Sequence, residues 1–306
     1  MRIHHIPTTS EPHFVFVKDR PRNSGLTSLR FVGSDRLVCC DFNEKKMHLL
    51  GLGSDEPDVI ATIPTPVLGG EPVQTDLLDW NGEDLLVTSN FYQGTQSFYA
   101  LRGDTVSFLD EMKLTDFTGC HGVRFVPGYD DLLFISYKAG IVIADYRKKE
   151  ILHLLQMPRM TQDAAFIGDY VLVPARTDHI RKRGPFDCEM YATMYLFRMP
   201  SSLYSNPPEL IDTWRGSGHH DAIKEHGQLA YSANQYNDAI DAFCVNAAER
   251  IELRGSIPGF AMPHGVDIRP DGLLGVTNYL DNSVRLVDLA SEPLRGAQYE
   301  AFAADG

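Results

Sequence analysis

The sequence predicts an all-β protein built from repeated four-stranded antiparallel sheets, and three observations carry that expectation. Apolar runs are short, four to seven residues, and rich in Val, Leu, Ile, Phe and Tyr, the composition of strands rather than helices. The segments between them are dense in Gly, Asp, Asn and Pro, which reverse the chain. No stretch sustains the apolar period of an amphipathic helix over the length a stable helix needs. A sheet protein of this kind must then say how its strands are grouped.

One pattern recurs six times: a polar or small residue, an apolar run, a turn, a second run, a polar loop and a third run. The first copy is "LTSLRFVGSDRLVCCDFNEKKMHLLGL" from Leu26, turning at "GSD" and "NEKK", and "DVIATIP" supplies an outer strand after it. The second, "VQTDLLDWNGEDLLVTSNFYQGTQSFYAL" from Val73, turns at "NGED" and "YQGT". The third, "GCHGVRFVPGYDDLLFISYKAGIVIADY" from Gly119, is followed by the outer run "ILHLLQMP". The fourth, "MTQDAAFIGDYVLVPARTDHI" from Met160, has its third strand delayed to "MYLFRM", which leaves residues 176–194 as an inserted loop. The fifth is "GHHDAIKEHGQLAYSANQYNDAIDAFCV" from Gly218, and the sixth "MPHGVDIRPDGLLGVTNYLDNSVRLVDL" from Met262. Aligned on the residue that opens the first strand, the copies stack Thr27, Thr75, His121, Gln162, His220 and His264, at spacings of 48, 46, 41, 58 and 44 residues. That is the repeat length of circular β arrays. Closing the array into a ring removes the strand edges that an open array would expose. Residues 1–306 are therefore expected to form a single six-bladed β-propeller, with residues 1–26 as closure strand ("RIHHIP" or "HFVFV") and lead-in. A seventh, irregular blade from residues 1–26 is the alternative count.

With this strand rhythm and openings of the "HGVDIRPDG" type, the chain resembles the six-bladed propeller group that includes NHL-repeat, gluconolactonase-like and peptidylglycine-lyase-like proteins, over nearly its whole length. The resemblance to peptidylglycine-lyase-like propellers implies lyase chemistry, in which a histidine-bound metal promotes C–N or C–O cleavage. Gluconolactonase-like propellers commonly hold calcium, which prefers several oxygen ligands. The nitrogen-rich column found here points instead to zinc, iron, manganese or copper.

In a propeller the first strand of each blade lines the central channel, so residues that open it meet at one mouth. His121, His220 and His264 are thus expected to converge from three blades as ligands of a divalent transition metal, with Gln162 from the same column as a further ligand. In "GHHDA" the register leaves His219 as a replacement for His220, or as its partner in proton transfer. The second strand returns to the same mouth, where its end residues Asp41, Asn90, Tyr137, Arg176, Asn234 and Asn278 are expected to ring the site. Asn90, Asn234, Asn278 and Arg176 are read as substrate-binding, and Tyr137 and His219 as proton carriers. Arg181 and Arg183, on the inserted loop, suit the recognition of a carboxylate or phosphate. Asp76, Asp163 and Asp221, one step beyond the column, are expected to accept hydrogen bonds from imidazole N–H groups. The glycines after the histidines, Gly122 and Gly265, are expected to keep the channel entrance open.

Composition excludes several classes. The net charge of −13 opposes binding to a nucleic-acid backbone, which requires clustered Lys and Arg. No apolar run is long enough to span a membrane. Five cysteines without a CxxC pair read as reduced thiols, and the protein is expected to be cytoplasmic. GxSxG, HExxH and P-loop motifs are missing. The functional expectation is a metal-dependent enzyme acting on a small, anionic organic molecule, with lyase chemistry first and hydrolase or oxygenase chemistry as variants. The alternative is a non-catalytic propeller that binds a protein or peptide on its rim.

Overall fold

Among the described residues, short runs separated by glycine-bearing turns fold into 25 strands in six antiparallel sheets. The computed structural model of the protein describes residues 2–5, 25–42, 44–53, 58–64, 72–80, 83–113, 118–176, 180–182 and 188–296. After β1 (Arg2–His5), the first sheet is β2 (Leu26–Val32), β3 (Arg36–Asp41), β4 (Lys46–Gly51) and β5 (Asp58–Pro64). The second is β6 (Pro72–Trp80), β7 (Glu83–Asn90), β8 (Thr95–Arg102) and β9 (Thr105–Lys113). The third is β10 (Val123–Phe125), β11 (Leu132–Tyr137), β12 (Gly140–Asp145) and β13 (Glu150–Gln156). The fourth is β14 (Ala165–Ile167), β15 (Tyr170–Ala175), β17 (Cys188–Arg198) and β18 (Glu209–Ser217), with the short β16 (Ile180–Lys182) paired to β17. The fifth is β19 (His220–His226), β20 (Leu229–Asn234), β21 (Ala239–Val245) and β22 (Ile251–Pro258). The sixth is β23 (Pro263–Ile268), β24 (Leu273–Asn278) and β25 (Ser283–Asp288), and β1 is its outermost strand. The molecule is a six-bladed β-propeller, and no helix occurs among the described residues.

The first hairpin of five blades turns on a glycine in the left-handed region: Gly33, Gly128, Gly168, Gly227 and Gly272, with φ between 56° and 88°. Only glycine adopts that conformation without strain, so these positions set where each inner strand ends. The ring closes through β1, which runs antiparallel to β25 from Arg2↔Leu286 to His5↔Ser283. In the fourth blade the insertion is partly strand, because β17 begins at Cys188 and pairs with β16 before it meets β15.

The core is divided among six blade boundaries rather than gathered at one centre. Leu86 and Tyr99 pack with Val38 and Met47 between the first two blades, and Phe134 packs with Val173 between the third and fourth. Equivalent clusters fill the other four boundaries.

Near the axis, six charged side chains tie each inner strand to the next. Arg30 donates from Nε to Asp76 Oδ1 (3.0 Å), and Asp76 Oδ2 accepts the Phe125 amide (2.8 Å). Arg124 forks onto both oxygens of Asp163 (2.9 and 2.6 Å), whose Oδ2 also accepts the Ile223 amide (3.0 Å). Lys224 lies 3.9 Å from Asp267, and Asp267 Oδ2 accepts the Phe31 amide (2.7 Å), returning to the first blade. Cation and carboxylate alternate around the ring, so every boundary is crossed and the charges balance. Burial raises the pKa values of Asp76 and Asp163, the latter to about 7, against the pull of Arg30 and the amides they accept.

Removing one member of such a buried pair strands the other's charge. Arg124→Met is expected to lower stability by about 3–5 kcal/mol, read from urea unfolding midpoints. Arg102→Ala, which breaks the exposed pair with Glu83, is expected to leave the unfolding midpoint nearly unchanged, because solvent screens that pair.

Candidate functional site

Four inner strands enter their blades through the same irregularity. The last ladder pairs at the mouth are Leu26↔Asp41, Pro72↔Asn90, His220↔Asn234 and Pro263↔Asn278, and in each blade the register then shifts by one residue. In the fourth blade the bridge Thr161↔Ala175 holds the equivalent place. Such a bulge turns the next side chain inward. The residues at that inward position are Thr27, Val73, Gln162, Asp221 and His264. In the third blade His121 takes it, its amide donating to Ser136 as that of Gln162 donates to Pro174.

These six residues form the floor of a cavity of about 500 Å³, measured out to its open mouth. Its wall comes from two further positions, the first supplied by five blades and the second by three. The residue after the second strand supplies Phe42, Phe91, Arg176, Gln235 and Tyr279, and the residue before the inner strand supplies Met160, His219 and Met262.

On the floor, His121, Asp221 and His264 converge from three blades. His121 Nε2 lies 3.5 Å from Asp221 Oδ1 and His264 Nε2 lies 3.4 Å from Asp221 Oδ2. One ligand atom from each of the three lies within 4.8 Å of the others, so the group could hold a metal ion. The imidazole planes are nearly parallel, 15° apart with centroids at 5.8 Å. His121 Nδ1 sits 2.8 Å from the Gln162 carbonyl of the next blade. A carbonyl only accepts, so Nδ1 carries the proton and the Nε2 lone pair faces the floor. The Thr27 backbone stands in the same relation to His264 and raises its basicity, although Nδ1 stops short of a formed hydrogen bond. Gln235 Nε2 donates to Asp221 Oδ2 (3.0 Å).

Desolvation dominates the electrostatics. Burial lowers the pKa values of His121, His219 and His264 to about 3, leaving them neutral, with the Arg176 charge adding to the effect at His121 and His219. Burial pushes the Asp221 carboxyl well up, with Asp163 adding to it and Arg176 opposing.

Gly122 and Gly265 have a different task from the one expected. A Cβ on Gly122 would lie 2.5 Å from the Gln162 carbonyl oxygen, and one on Gly265 would lie 2.6 Å from Ser28 Cα. Glycine lets the neighbouring blade's backbone approach closely enough to serve the imidazole. The same demand explains a signal present in the sequence. Small residues follow the floor position in four blades, Ser28, Gly122, Ala222 and Gly265, so in "GHHDA" the residue preceding Ala222, Asp221, belongs to the floor.

The remaining expected residues distribute as follows. His220 turns away from the cavity: its Nε2 lies 3.4 Å from Asp241, and its ring packs edge-on against Trp214 and Phe243. This corrects its expected place beside His121 and His264; one residue along a strand reverses the face. His219 lines the wall instead. Thr75 gives way to Val73 on the floor because the register shift in that blade falls between Pro72 and Gln74. Tyr137 is buried with Cys120 in the apolar boundary between the second and third blades, not on the wall. Asn90 donates to Thr95 and Ser97, Asn234 to Asp241, and Asn278 to Ser283, so all three brace the turns of their own blades rather than face a substrate. Gln162 and Arg176 line the cavity. Asp76 and Asp163 belong to the charged ring below it. Arg183 lies outside the described residues, and so does the side chain of Arg181.

An open-mouthed cavity over a His–Asp–His floor, set on the axis of a six-bladed propeller, defines the class. No protein-family description matches the sequence, and no curated protein matches it. Solved structures do. A protein from Lactobacillus plantarum superposes with a TM-score of 0.61 at 15% identity, covering 91% of this chain and 85% of that one. A putative 6-phosphogluconolactonase from Bacteroides uniformis gives 0.59 at 15% identity, covering 92% and 89%. Virginiamycin B lyase from Staphylococcus aureus gives 0.54 at 10% identity, covering 87% and 95%. At these identities the likeness is one of fold.

Gly122→Ala is expected to cost about 1–3 kcal/mol and to release His121 from Gln162. Loss of the slowly exchanging His121 Nδ1 proton signal in ¹⁵N-resolved NMR spectra would register the second effect.

Proposed function

We propose that the protein is a metal-dependent enzyme acting on a small, anionic organic molecule at the channel mouth, with lyase-type chemistry as the leading reaction. One observation carries this: two neutral imidazoles and a carboxylate from three separate blades direct their donor atoms at one point, at the bottom of an open cavity. The donors fit a divalent transition metal. Asp221 Oδ1 is buried without a hydrogen-bond partner, a costly arrangement for a carboxylate unless a cation or a proton compensates. Gln162 Oε1, likewise buried and unpartnered, stands on the same floor as a further oxygen donor.

A metal held by His121, Asp221 and His264 would polarise a carbonyl or hydroxyl of the substrate, or lower the pKa of a bound water. The chain's own residues supply the rest. Gln235 orients Asp221 through its hydrogen bond, and Gln162 orients His121 through its carbonyl. Arg176 holds the substrate's anionic group at the wall. The neutral imidazole of His219, on the same wall, is placed to accept a proton from the substrate and return it to the leaving group. Two of the similar structures carry enzyme names, a lyase and a putative lactonase, which favours C–O or C–N cleavage over oxygenation. The rival, rim-binding reading requires an apolar patch on one face. Most of the exposed large apolar side chains, such as Val59, Phe108, Leu109, Ile151 and Leu210, lie instead on the outermost strands at the circumference.

The test is a metal assay on protein purified without an affinity tag and reconstituted with zinc, iron, manganese or copper. One equivalent per chain is expected, lost in His121→Ala, Asp221→Asn and His264→Ala. His220→Ala is expected to lower stability and retain the metal. A folded wild-type chain that stays metal-free would overturn the proposal.

A further inference from the structure

The cavity wall is two-sided, and the two sides differ in chemistry. Three consecutive blades, the sixth, first and second, place Tyr279, Phe42 and Phe91 at the same structural position, the residue after the second strand. Their rings continue into the floor. Phe42 meets Phe91 edge to face at 6.2 Å, Phe91 meets His121 at 6.0 Å, His121 stacks on His264 at 5.8 Å, and His264 meets Tyr279 at 5.8 Å. The result is one unbroken chain of aromatic rings running along one wall and under the floor. In the fourth and fifth blades the same position carries Arg176 and Gln235. Arg176 is the only cation among the described lining residues. Its field reaches across the floor, for it acts on His121, His219 and Asp221.

We propose that this site takes a planar aromatic acid with a single carboxylate. The ring lies against the Phe42–Phe91–Tyr279 arc and the carboxylate is forked by Arg176, which puts the bonds between ring and carboxylate over His121, Asp221 and His264. A flat, electron-rich body suits a wall of ring faces and edges, where stacking adds to simple apolar burial. A carboxylate matches the two parallel donors of one guanidinium. A phosphate would bring a second negative charge, for which the described lining offers no second cation. The inference deepens the proposed function and shares its site, but its binding step does not require the metal.

Titration calorimetry on the full chain, in chelator and again with zinc, tests it with benzoate, 2-naphthoate, cyclohexanecarboxylate, acetate, phenyl phosphate and benzyl alcohol. Benzoate and 2-naphthoate are expected to bind at least tenfold more tightly than acetate, cyclohexanecarboxylate and phenyl phosphate. Arg176→Gln is expected to weaken both aromatic acids at least tenfold and leave benzyl alcohol unchanged, which also reports that the variant is folded. Phe91→Leu is expected to weaken 2-naphthoate and spare acetate. Equal affinity for acetate and benzoate, phenyl phosphate as the tightest probe, or no effect of Arg176→Gln would each overturn the proposal. Aromatic-acid binding that persists in chelator while zinc fails to bind would uphold it and sink the metal reading. Zinc binding without aromatic-acid binding would do the reverse.

Discussion

Six sheets share one axis here because their innermost strands are tied sideways by charged side chains. Adjacent blades meet through apolar faces, which attract without fixing register. The ring of Arg30, Asp76, Arg124, Asp163, Lys224 and Asp267 supplies what apolar contact lacks. Each cation reaches a carboxylate on the next blade, and each carboxylate accepts a backbone amide from the blade after that. Hydrogen bonds of this kind are directional and, once buried, costly to break. They hold the strands at one height, so the side chains one bulge above them meet at one level.

The candidate site inherits its geometry from that alignment. His121, Asp221 and His264 come from the third, fifth and sixth blades, and no local sequence contact brings them together. What places them is a bulge repeated at the mouth of the blades, together with small residues that let neighbouring backbones close in. Gln162 illustrates the economy of the arrangement: its carbonyl fixes the His121 tautomer while its side chain lines the cavity. The floor therefore depends on blade-to-blade spacing as much as on the identity of its donors.

The fold was largely legible in the sequence, because its causes are local. Alternating runs make strands, and a glycine that must be left-handed marks the first hairpin of most blades. The outermost strand of the last blade could be assigned to the N-terminal segment because a ring needs a partner for β25. The site was legible only in part. His121 stands just ahead of β10 and His264 within β23, each followed by a glycine, so their place was readable. "GHHDA" offers three polar residues in succession, and the bulge that selects Asp221 over His220 is a hydrogen-bonding event with no mark in the hydrophobic pattern. The same shift of one residue left Asn90, Asn234 and Asn278 as turn braces and gave the cavity-lining place to Phe91, Gln235 and Tyr279. An aromatic residue after a strand reads as core, and its exposure to a cavity emerges only when six blades are assembled.

Pairing of β1 with β25 also sets an order of events in biosynthesis. Of the described strands, the first to leave the ribosome completes the sheet that is finished last, and at roughly 5–20 residues per second it waits on the order of 15 seconds to a minute for its partner. During that interval the early blades can dock on one another, but the circle cannot shut. A nascent chain whose β25 edge is still open presents the same template that the β1 segment of another copy would recognise. Crowded ribosomes on one message thus create the conditions for exchanging that strand between molecules.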